Sequence, residues 1–410
     1  MALRIDGGSY SPLVLTKAVV AAAHVPSYPV GAKLLEVVGG ISISSRHLNN
    51  LTVKVGSEMA ADRDACTAAY SEQPLPRKPC QPKTPIALAC VSVDGGRMQT
   101  RLDGGGPGVH DPHWRETKNA LFSRMNDVSS EKDPHPELPA CFRDRHRMKK
   151  LLPGVETLEG DLTTVPQEAA GPRSQHPKWR PESLFRTSIS SLAKSDTFGT
   201  MMAAEADSRG FYRAANRAFV CDGLPYNWTI QKTHFPTFVP ILDFVHAVEH
   251  LYAAVRCLRS NDEDIWCLHL EWAEACWQGR VRRVIEQLRV EQPRIGEPPC
   301  DADENDPRKI VADTIGYLQN NASRMDYPTY RRQGLPTTSS LMESFVKELN
   351  YRVKGTEKFW NDGRSGEAIL QIRAAALCDD HRLESHLQNR PGNPFRPNAR
   401  RHPPAVTNAS

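Results

Sequence analysis

Two apolar runs, Phe219-Val-Cys-Asp222-Gly and Pro240-Ile-Leu-Asp243-Phe-Val-His246, each end at an aspartate, and one short segment separates them. An apolar run of this length is typical of a strand that is buried on both faces. Carboxylates are also the ligands that hard metal ions prefer. The two stretches therefore predict neighbouring strands of an α/β fold, with acidic side chains where the strands end.

The rest of the chain supplies further elements of the same unit. Residues 86–94 form a nearly continuous apolar run that ends at Asp94, as a buried strand does. Gly95-Gly96 predicts a tight turn into an alternating partner strand at 97–102. The next predicted elements are a strand at 114–126, a helix at 181–209, a strand at 216–222, a helix at 225–234, a strand at 238–243 and a helix at 244–258.

A helical block follows at 262–325, and an amphipathic helix then spans Thr337 to Lys354. The order is three consecutive strands, then alternating helix and strand, with a helical block before the last helix. This is the order of the RNase H-like fold. We therefore predict an α/β domain over residues 86–385, with a mixed five-stranded sheet and an all-helical insertion at 247–325 before the last catalytic helix.

The flanking regions have different patterns. Residues 1–70 predict a small N-terminal helical domain, in which Gly39-Gly40 separates two helices and Ser44 or Ser45 caps the second. Such a pair is either a helix-turn-helix that binds DNA or a plain helical hairpin. The remaining regions are predicted as a proline-rich linker at 71–85, a flexible insertion at 127–182 and a disordered basic tail at 386–410.

Composition sets broad limits on the class of protein. The chain has 410 residues, more than one ordinary domain, and its net charge of +4 is compatible with nucleic acid without indicating it. Ten cysteines without a C-x-x-C pair favour reduced thiols over a zinc site. No signal-peptide pattern and no membrane-length apolar stretch is present, so we expect a soluble, cytoplasmic protein without a membrane partner.

Three acids are candidates for one site. Asp94 ends the first strand, Asp222 ends the fourth, and Glu343 lies on the last helix. Chemistry at a phosphodiester requires an activated attacking oxygen and a stabilised leaving oxygen, which two metal ions about 4 Å apart can provide. Each acid has a simpler alternative: the two aspartates precede glycine and could form turns, and Glu343 follows Ser340 as in a capping box.

Asp243 and His246 lie three residues apart and share one helix face. We predict that this pair supports the site or fixes the inserted helices and does not itself transfer protons.

Basic residues accompany the third acid. Lys347 and Lys354 lie on the polar side of its helix, which suits a helix that follows a DNA backbone, although an ordinary solvated face would look the same. Arg352 and Lys358 occur among aromatic residues, as single-strand contacts often do. We therefore predict that these four side chains bind DNA.

These motifs resemble those of bacterial insertion-sequence transposases of the DDE class, in the Mutator-like group. The resemblance covers about residues 86–125 and 185–385. Val91-Ser-Val-Asp94-Gly-Gly resembles the first-acid motif. Val220-Cys-Asp222-Gly, with the later Asp243-Phe-Val-His246, resembles the second-acid motif and its D-x-x-H signature. The stretch from Arg324 to Glu343 resembles the third-acid helix and the segment that leads into it.

The resemblance implies that Asp94, Asp222 and Glu343 bind two Mg²⁺ or Mn²⁺ ions, with Asp243 and His246 as accessory residues. It implies nicking at transposon ends and attack of the freed 3′-hydroxyl on double-stranded target DNA, by a homo-oligomer associated with the bacterial nucleoid. Two alternatives remain: a catalytically silent DNA-binding derivative of a transposase, and a non-transposing RNase H-like nuclease.

Overall fold

The computed structural model describes residues 10–101, 113–149, 151–152, 179–355, 358–360 and 362–390. Within these ranges, the strands are β1 (Leu88–Thr100), β2 (Trp114–Met125), β3 (Ser183–Ser191), β4 (Asn216–Cys221), β5 (Val239–Leu242) and β6 (Phe359–Trp360).

The six strands form one mixed sheet. Strands β1, β2 and β3 are antiparallel neighbours, and β4 and β5 extend the other side of β1 in parallel, giving the order β3-β2-β1-β4-β5. The two-residue strand β6 also pairs with β1, at Gln99 and Thr100. The protein is therefore a mixed α/β protein with one strand more than predicted.

Helices surround this sheet. The α-helices of the described ranges are α1 (Pro12–His24), α2 (Tyr28–Gly39), α3 (Ser45–Ser71), α4 (Ala140–Arg143), α5 (Arg145–Met148), α6 (Ser195–Ser208), α7 (Pro225–His234), α8 (Phe244–Leu258), α9 (Asp262–Trp277), α10 (Val281–Ile295), α11 (Pro307–Asn321), α12 (Tyr327–Arg332), α13 (Ser340–Val353), α14 (Gly363–Ala376) and α15 (Arg382–Asn389). The block between β5 and α13 is entirely helical, as predicted.

Strand β1 continues through the predicted turn at Gly95-Gly96, so that prediction is wrong. Residues 98–100 are buried, and pairing with β2 extends from Leu88 to Gln99. Gly96 allows β1 and β2 to lie close together, because a Cβ atom at this position would lie 2.5 Å from Thr117 Oγ1. The partner strand is therefore β2 and not residues 97–102.

The third strand is β3, where the sequence pattern predicted the start of a helix. Its last five residues, 187–191, are buried and mostly carry hydroxyl groups. Ser188 Oγ donates to Ala374 O at 3.1 Å, and Gln371 Nε2 donates to Ser190 O at 2.5 Å. Contacts with α14 therefore stabilise β3, which its sequence pattern alone does not predict as a strand.

Helices α13 and α14 cover one face of the sheet. Met342, Phe345 and Leu349 of α13 belong to one apolar cluster with Met98 of β1 and Leu121 of β2. Residues two or four apart on a strand share a face. The side chain of residue 94 therefore points to the same face as Met98, toward α13.

The N-terminal helices form as predicted, and besides an apolar cluster of their own they share a second cluster with α14. Ser44 caps α3, since its Oγ accepts from His47 N, and Gly40 has the positive φ of 61° expected after a helix. Leu15 and Val55 pack in one cluster with Ile372 of α14. The N-terminal helical domain predicted as a separate unit is therefore joined to the sheet domain through α14.

Residues 126–149 pack against the helical block, so the prediction of a flexible insertion is wrong for this part. Arg331 is fully buried, and its Nε donates to Asp133 Oδ1 at 2.7 Å. Trp277 Nε1 donates to His135 O at 3.0 Å. Residues 153–178 of the predicted insertion and residues 391–410 of the predicted tail lie outside the described residues.

Two further findings bear on the sequence analysis. No helix of the described part is long and apolar enough to cross a membrane. All ten cysteines lie in the described ranges and are free thiols there.

Candidate active site

The two aspartates that end apolar runs lie side by side in the sheet. Val93 of β1 and Cys221 of β4 are the last paired residues of these parallel strands, and the next residues are Asp94 and Asp222. Neighbouring strands are about 4.8 Å apart. The fold therefore brings together two acids that are separated by 128 residues in the sequence (222 − 94).

Asp222 is held in place by its own loop and by α11. Its Oδ1 accepts from Leu224 N at 3.1 Å and from Asn227 Nδ2 at 2.8 Å, and Tyr317 donates to its backbone oxygen at 2.8 Å. Gly223 has φ 95°, and a Cβ atom there would lie 2.8 Å from the Tyr317 ring. The turn expected for Asp222-Gly is thus present, and it fixes the carboxylate.

Glu343 lies in the first turn of α13 and is about one-quarter exposed. The residue that precedes the helix is Ser339, which makes no side-chain capping bond, so the capping box proposed for Ser340 and Glu343 does not form. Glu343 Oε2 lies 3.6 Å from Lys347 Nζ. The carboxylate is therefore partly accessible and lies beside an exposed lysine of its own helix.

The charges of Asp222 and Glu343 both affect the ionisation of Asp94. Burial raises the pKa of Asp94 to about 6, and the negative charges of Asp222 and Glu343 add to this effect. The backbone N–H of Gly95 and the charge of His246 oppose it. Asp94 therefore lies in an excess of negative charge that the surrounding described residues do not balance.

Asp243 is fully buried and joins two elements of the site. Its Oδ1 accepts from Val245 N at 3.0 Å and so caps α8, and its Oδ2 accepts from Ser339 Oγ at 2.6 Å. A backbone bond from Phe244 N to Thr337 O reinforces this junction. Asp243 thus fixes the start of α13, four residues before Glu343, which agrees with the supporting role predicted for it.

His246 is a cation close to Asp94, Asp222 and Asp243. Its Nδ1 lies 2.9 Å from Glu249 Oε2, and its Nε2 lies 3.8 Å from Asp243 Oδ2. Burial alone would lower its pKa, but the bond to Glu249 and the charges of Asp243, Glu249 and Asp222 raise it to about 9. His246 is therefore positively charged at neutral pH, which suits a supporting residue rather than a proton acceptor.

Several residues near the acids were not predicted from the sequence. Asn119 is paired with Asp94 across the β1–β2 ladder, and Asn227 binds Asp222. The Oδ1 atoms of Asn119 and Asn227 and the Tyr226 hydroxyl are buried without a hydrogen-bond partner among the described residues. The only available signal was the spacing of Asn227, five residues after Asp222 on the first turn of α7.

These side chains present oxygen ligands, the type that Mg²⁺ and Mn²⁺ prefer. Across the described part of the chain, no three His, Cys, Asp or Glu side chains are already close enough to enclose a metal ion. The residues fit such an ion in chemistry and charge, while the three acids would have to move closer together to coordinate it.

The four predicted DNA-binding residues differ in accessibility. Lys347 is three-quarters exposed and Lys354 is exposed. Lys358 is half-buried and donates to Tyr351 O at 2.7 Å. Arg352 is only 2 % exposed, and its Nε donates to Ala22 O at 2.8 Å. Arg352 therefore does not share the exposed surface of α13 with Lys347, because its side chain joins α13 to α1.

No protein-family model matches this chain, and no curated protein matches it.

Proposed function

We propose that the protein is a DNA transposase whose catalytic centre is formed by Asp94, Asp222 and Glu343 on an RNase H-like fold. The strand order β3-β2-β1-β4-β5, with three antiparallel strands followed by two parallel ones, supports this fold. The helical block between β5 and α13 agrees with the insertion that the sequence predicts. An α/β fold alone does not define a function, so the site must support the proposal.

The proposal depends most on the placement of Asp94 and Asp222 directly after the last paired residues of the adjacent parallel strands β1 and β4. Asp94, Asp222 and Glu343 come from three separate elements and are more than 120 residues apart in sequence (222 − 94 = 128; 343 − 222 = 121). Even so, the charges of Asp222 and Glu343 both raise the pKa of Asp94. Like charges gathered in a partly buried place are costly, and such arrangements are concentrated at functional sites.

The roles of the side chains follow from their positions. Asp94 and Asp222 would hold a divalent ion from adjacent strands, and Glu343 would complete the ligand set from α13. Divalent cations bound there would activate the attacking oxygen and stabilise the leaving oxygen. The Asp243–Ser339 bond keeps the start of α13 in place, and the positive charge of His246 offsets part of the negative charge.

In the proposed reaction, water attacks a phosphodiester at a transposon end, one P–O bond forms and another breaks, and a 3′-hydroxyl is released. That hydroxyl then attacks a phosphodiester of target DNA, again exchanging one P–O bond for another. Lys347 and Lys354 would bind phosphates along α13. We propose that a homo-oligomer performs these steps on bacterial DNA in the cytoplasm.

A cleavage and joining assay tests the proposal. The substrate is a plasmid that contains the gene with its natural flanking DNA, incubated with the protein and Mg²⁺. We expect Asp222→Asn to lower cleavage by at least about 10³-fold, because loss of metal-based stabilisation costs several kcal/mol. The matched control is Asp301→Asn, an exposed acid of the helical block, which should retain activity.

The assay also separates the alternative functions. Cleavage without joining would favour a nuclease, and DNA binding without cleavage would favour a silent derivative. Equal cleavage by the wild type and by Asp222→Asn would contradict the assignment of the three acids.

A further inference from the structure

A second site lies where α2, α13 and β6 meet. A cavity of about 250 Å³ is present there, with Tyr28, Phe359 and Trp360 on its aromatic wall. Arg352 and Lys358 line it as well, and none of its described lining residues is acidic. The cavity thus combines aromatic surface with two cations.

Arg352 forms the buried side of this cavity. Its guanidinium carbon lies 4.5 Å from the centre of the Tyr28 ring and 5.2 Å from that of Trp360. Its Nη2 is buried and has no hydrogen-bond acceptor among the described residues, and neither does the Tyr28 hydroxyl. A buried guanidinium N–H group without an acceptor is unfavourable, so Nη2, unlike the Nε atom that is bonded to Ala22 O, is suited to an anion.

Lys358 brings a second positive charge to the same place. Its Nζ donates to Tyr351 O, a neutral acceptor. Burial and the charge of Arg352 lower the pKa of Lys358, which places the two cations close to each other. An anion in the cavity would relieve this repulsion.

The position of the cavity relates it to the acidic centre. Glu343 and Arg352 are nine residues apart on α13, or about 14 Å along a helix. The exposed Lys347 and Lys354 lie along the same helix. A strand that leaves the acids and follows these lysines would reach the cavity.

We propose that this cavity binds one nucleotide of a DNA strand, with its base against the aromatic wall and its phosphate beside Lys358 and Arg352. Aromatic side chains stack on any base, and cations beside them bind the backbone. The volume is slightly below the roughly 300–1,000 Å³ of drug-sized sites, which suits a single nucleotide. The identity of the ligand as transposon or target DNA rests on the proposed function, but binding of a nucleotide does not.

Calorimetric titration of the full chain with thymidine 5′-monophosphate, thymidine and inorganic phosphate tests this proposal without metal or substrate DNA. We expect the nucleotide to bind at least ten times more tightly than either fragment. Lys358→Gln should weaken nucleotide binding about 10-fold or more, because a hydrogen bond to a charged group contributes about 1.5–3 kcal/mol. The matched control, Lys33→Gln, removes an exposed lysine of α2 that does not line the cavity, and this variant should bind the nucleotide as the wild type does.

Asn49→Trp provides a second variant, since Asn49 lines the cavity and is half-buried. The larger side chain should fill the space and abolish binding, with circular dichroism confirming that the variant folds. Three results would overturn the proposal: no binding of the nucleotide by the wild type, equal binding of phosphate and nucleotide, or unchanged binding by Lys358→Gln. Loss of cleavage in Asp222→Asn with intact nucleotide binding would show that the two sites are separate. Cleavage by a protein that does not bind the nucleotide would reject the proposal for the cavity and leave the proposed function unaffected.

Discussion

Two groups of buried acids in this protein differ in their counter-charges. In the first, Glu205 of α6 and Asp380 face two arginines: Arg382 Nη2 lies 2.5 Å from Glu205 Oε1, and Arg209 pairs with both acids. In the second, Asp94 faces other acids, and His246 is the cation that acts on it.

The difference appears directly in the pKa values. Burial would raise the pKa of Glu205 and of Asp380, but the charge of Arg382 holds both below their usual values. Burial and neighbouring acids raise the pKa of Asp94 to about 6. Removing a counter-charge from paired acids leaves an uncompensated charge, whereas acids left with excess negative charge indicate a place for a cation.

The largest expected effect on stability comes from removing a counter-charge from the balanced group. Arg382→Met should lower the free energy of unfolding by about 3–5 kcal/mol, because it leaves Glu205 and Asp380 buried with too little positive charge. Chemical denaturation at pH 7 measures this loss. The control is Arg308→Met, since Arg308 pairs with Asp306 at the surface, where solvent screens the pair. Equal losses of unfolding free energy in both variants would show that stability does not depend specifically on the arginine that neutralises Glu205 and Asp380.

Removing a charge from the second group, which contains Asp94, should raise the free energy of unfolding instead of lowering it. Without divalent ions, Asp94→Asn should raise the free energy of unfolding at pH 7 by about 1–3 kcal/mol, since it removes a carboxylate whose ionised form is disfavoured in the folded state. The folded pKa is raised, so the wild type gains stability as the pH falls through about 6 toward 4. The advantage of the variant should therefore disappear near pH 4.

Denaturation curves of both proteins across this pH range, with Asp301→Asn as the exposed control, test that prediction. A variant that is less stable than the wild type at pH 7 would mean that Asp94 is paired rather than repelled.

Loss of the hydrogen bond between Ser339 and Asp243 should affect stability less than loss of Arg382 does. Ser339→Ala removes the hydroxyl that donates to the buried Asp243 and should destabilise the fold by about 1–3 kcal/mol. It should also lower DNA cleavage about 10-fold, because the start of α13 positions Glu343. The control is Ser340→Ala, an exposed residue one position later. Unchanged cleavage in Ser339→Ala would reject the positioning role.

The smallest effect concerns a half-exposed acid. Glu58 accepts from Arg390 Nε at 2.7 Å, and although burial opposes it, the hydrogen bonds from Arg390 and His386 lower the pKa of Glu58 to about 2. Its contribution to stability is therefore present above about pH 4.5 and lost as the pH falls toward 2. Solvent screening limits this contribution to less than about 1 kcal/mol.

Thermal unfolding of Glu58→Gln and the wild type between pH 7 and pH 3 measures this loss, with the surface variant Glu36→Gln as control. The difference between the Glu58 variant and the wild type should shrink as the pH falls. A constant difference would contradict the lowered pKa of Glu58.

The sequence predicted the strands that have continuous apolar runs and an acid at the end. Strands β4 and β5 and the start of β1 were found where expected, because burial on both faces requires such runs. The prediction of a turn at Gly95-Gly96 was wrong. The sequence does not distinguish a glycine in a turn from one, such as Gly96, that lets its strand lie close to Thr117. Strand β3 was misread because its small hydroxyl residues become buried only through contact with α14.

The site shows the same limit. Element order and motif resemblance made Asp94, Asp222 and Glu343 candidates, and their role stays a prediction. The sequence could not distinguish the exposed Lys347 from the buried Arg352 on one helix. The difference arises from Tyr28 and Ala22, more than 320 residues earlier, which enclose the guanidinium (352 − 28 = 324). Contacts of this kind exist only after folding.

Direct ligation of a metal ion by Asp222 is best tested by a change of ligand and metal together. Asp222→Cys replaces a carboxylate with a thiolate, which is a poor ligand for the hard Mg²⁺ and a better one for softer ions such as Mn²⁺. We expect this variant to have at least about 10³-fold less cleavage activity than the wild type in Mg²⁺ and to recover at least about 10-fold in Mn²⁺. An equal loss in both metals, or no loss in Mg²⁺, would contradict metal binding by Asp222.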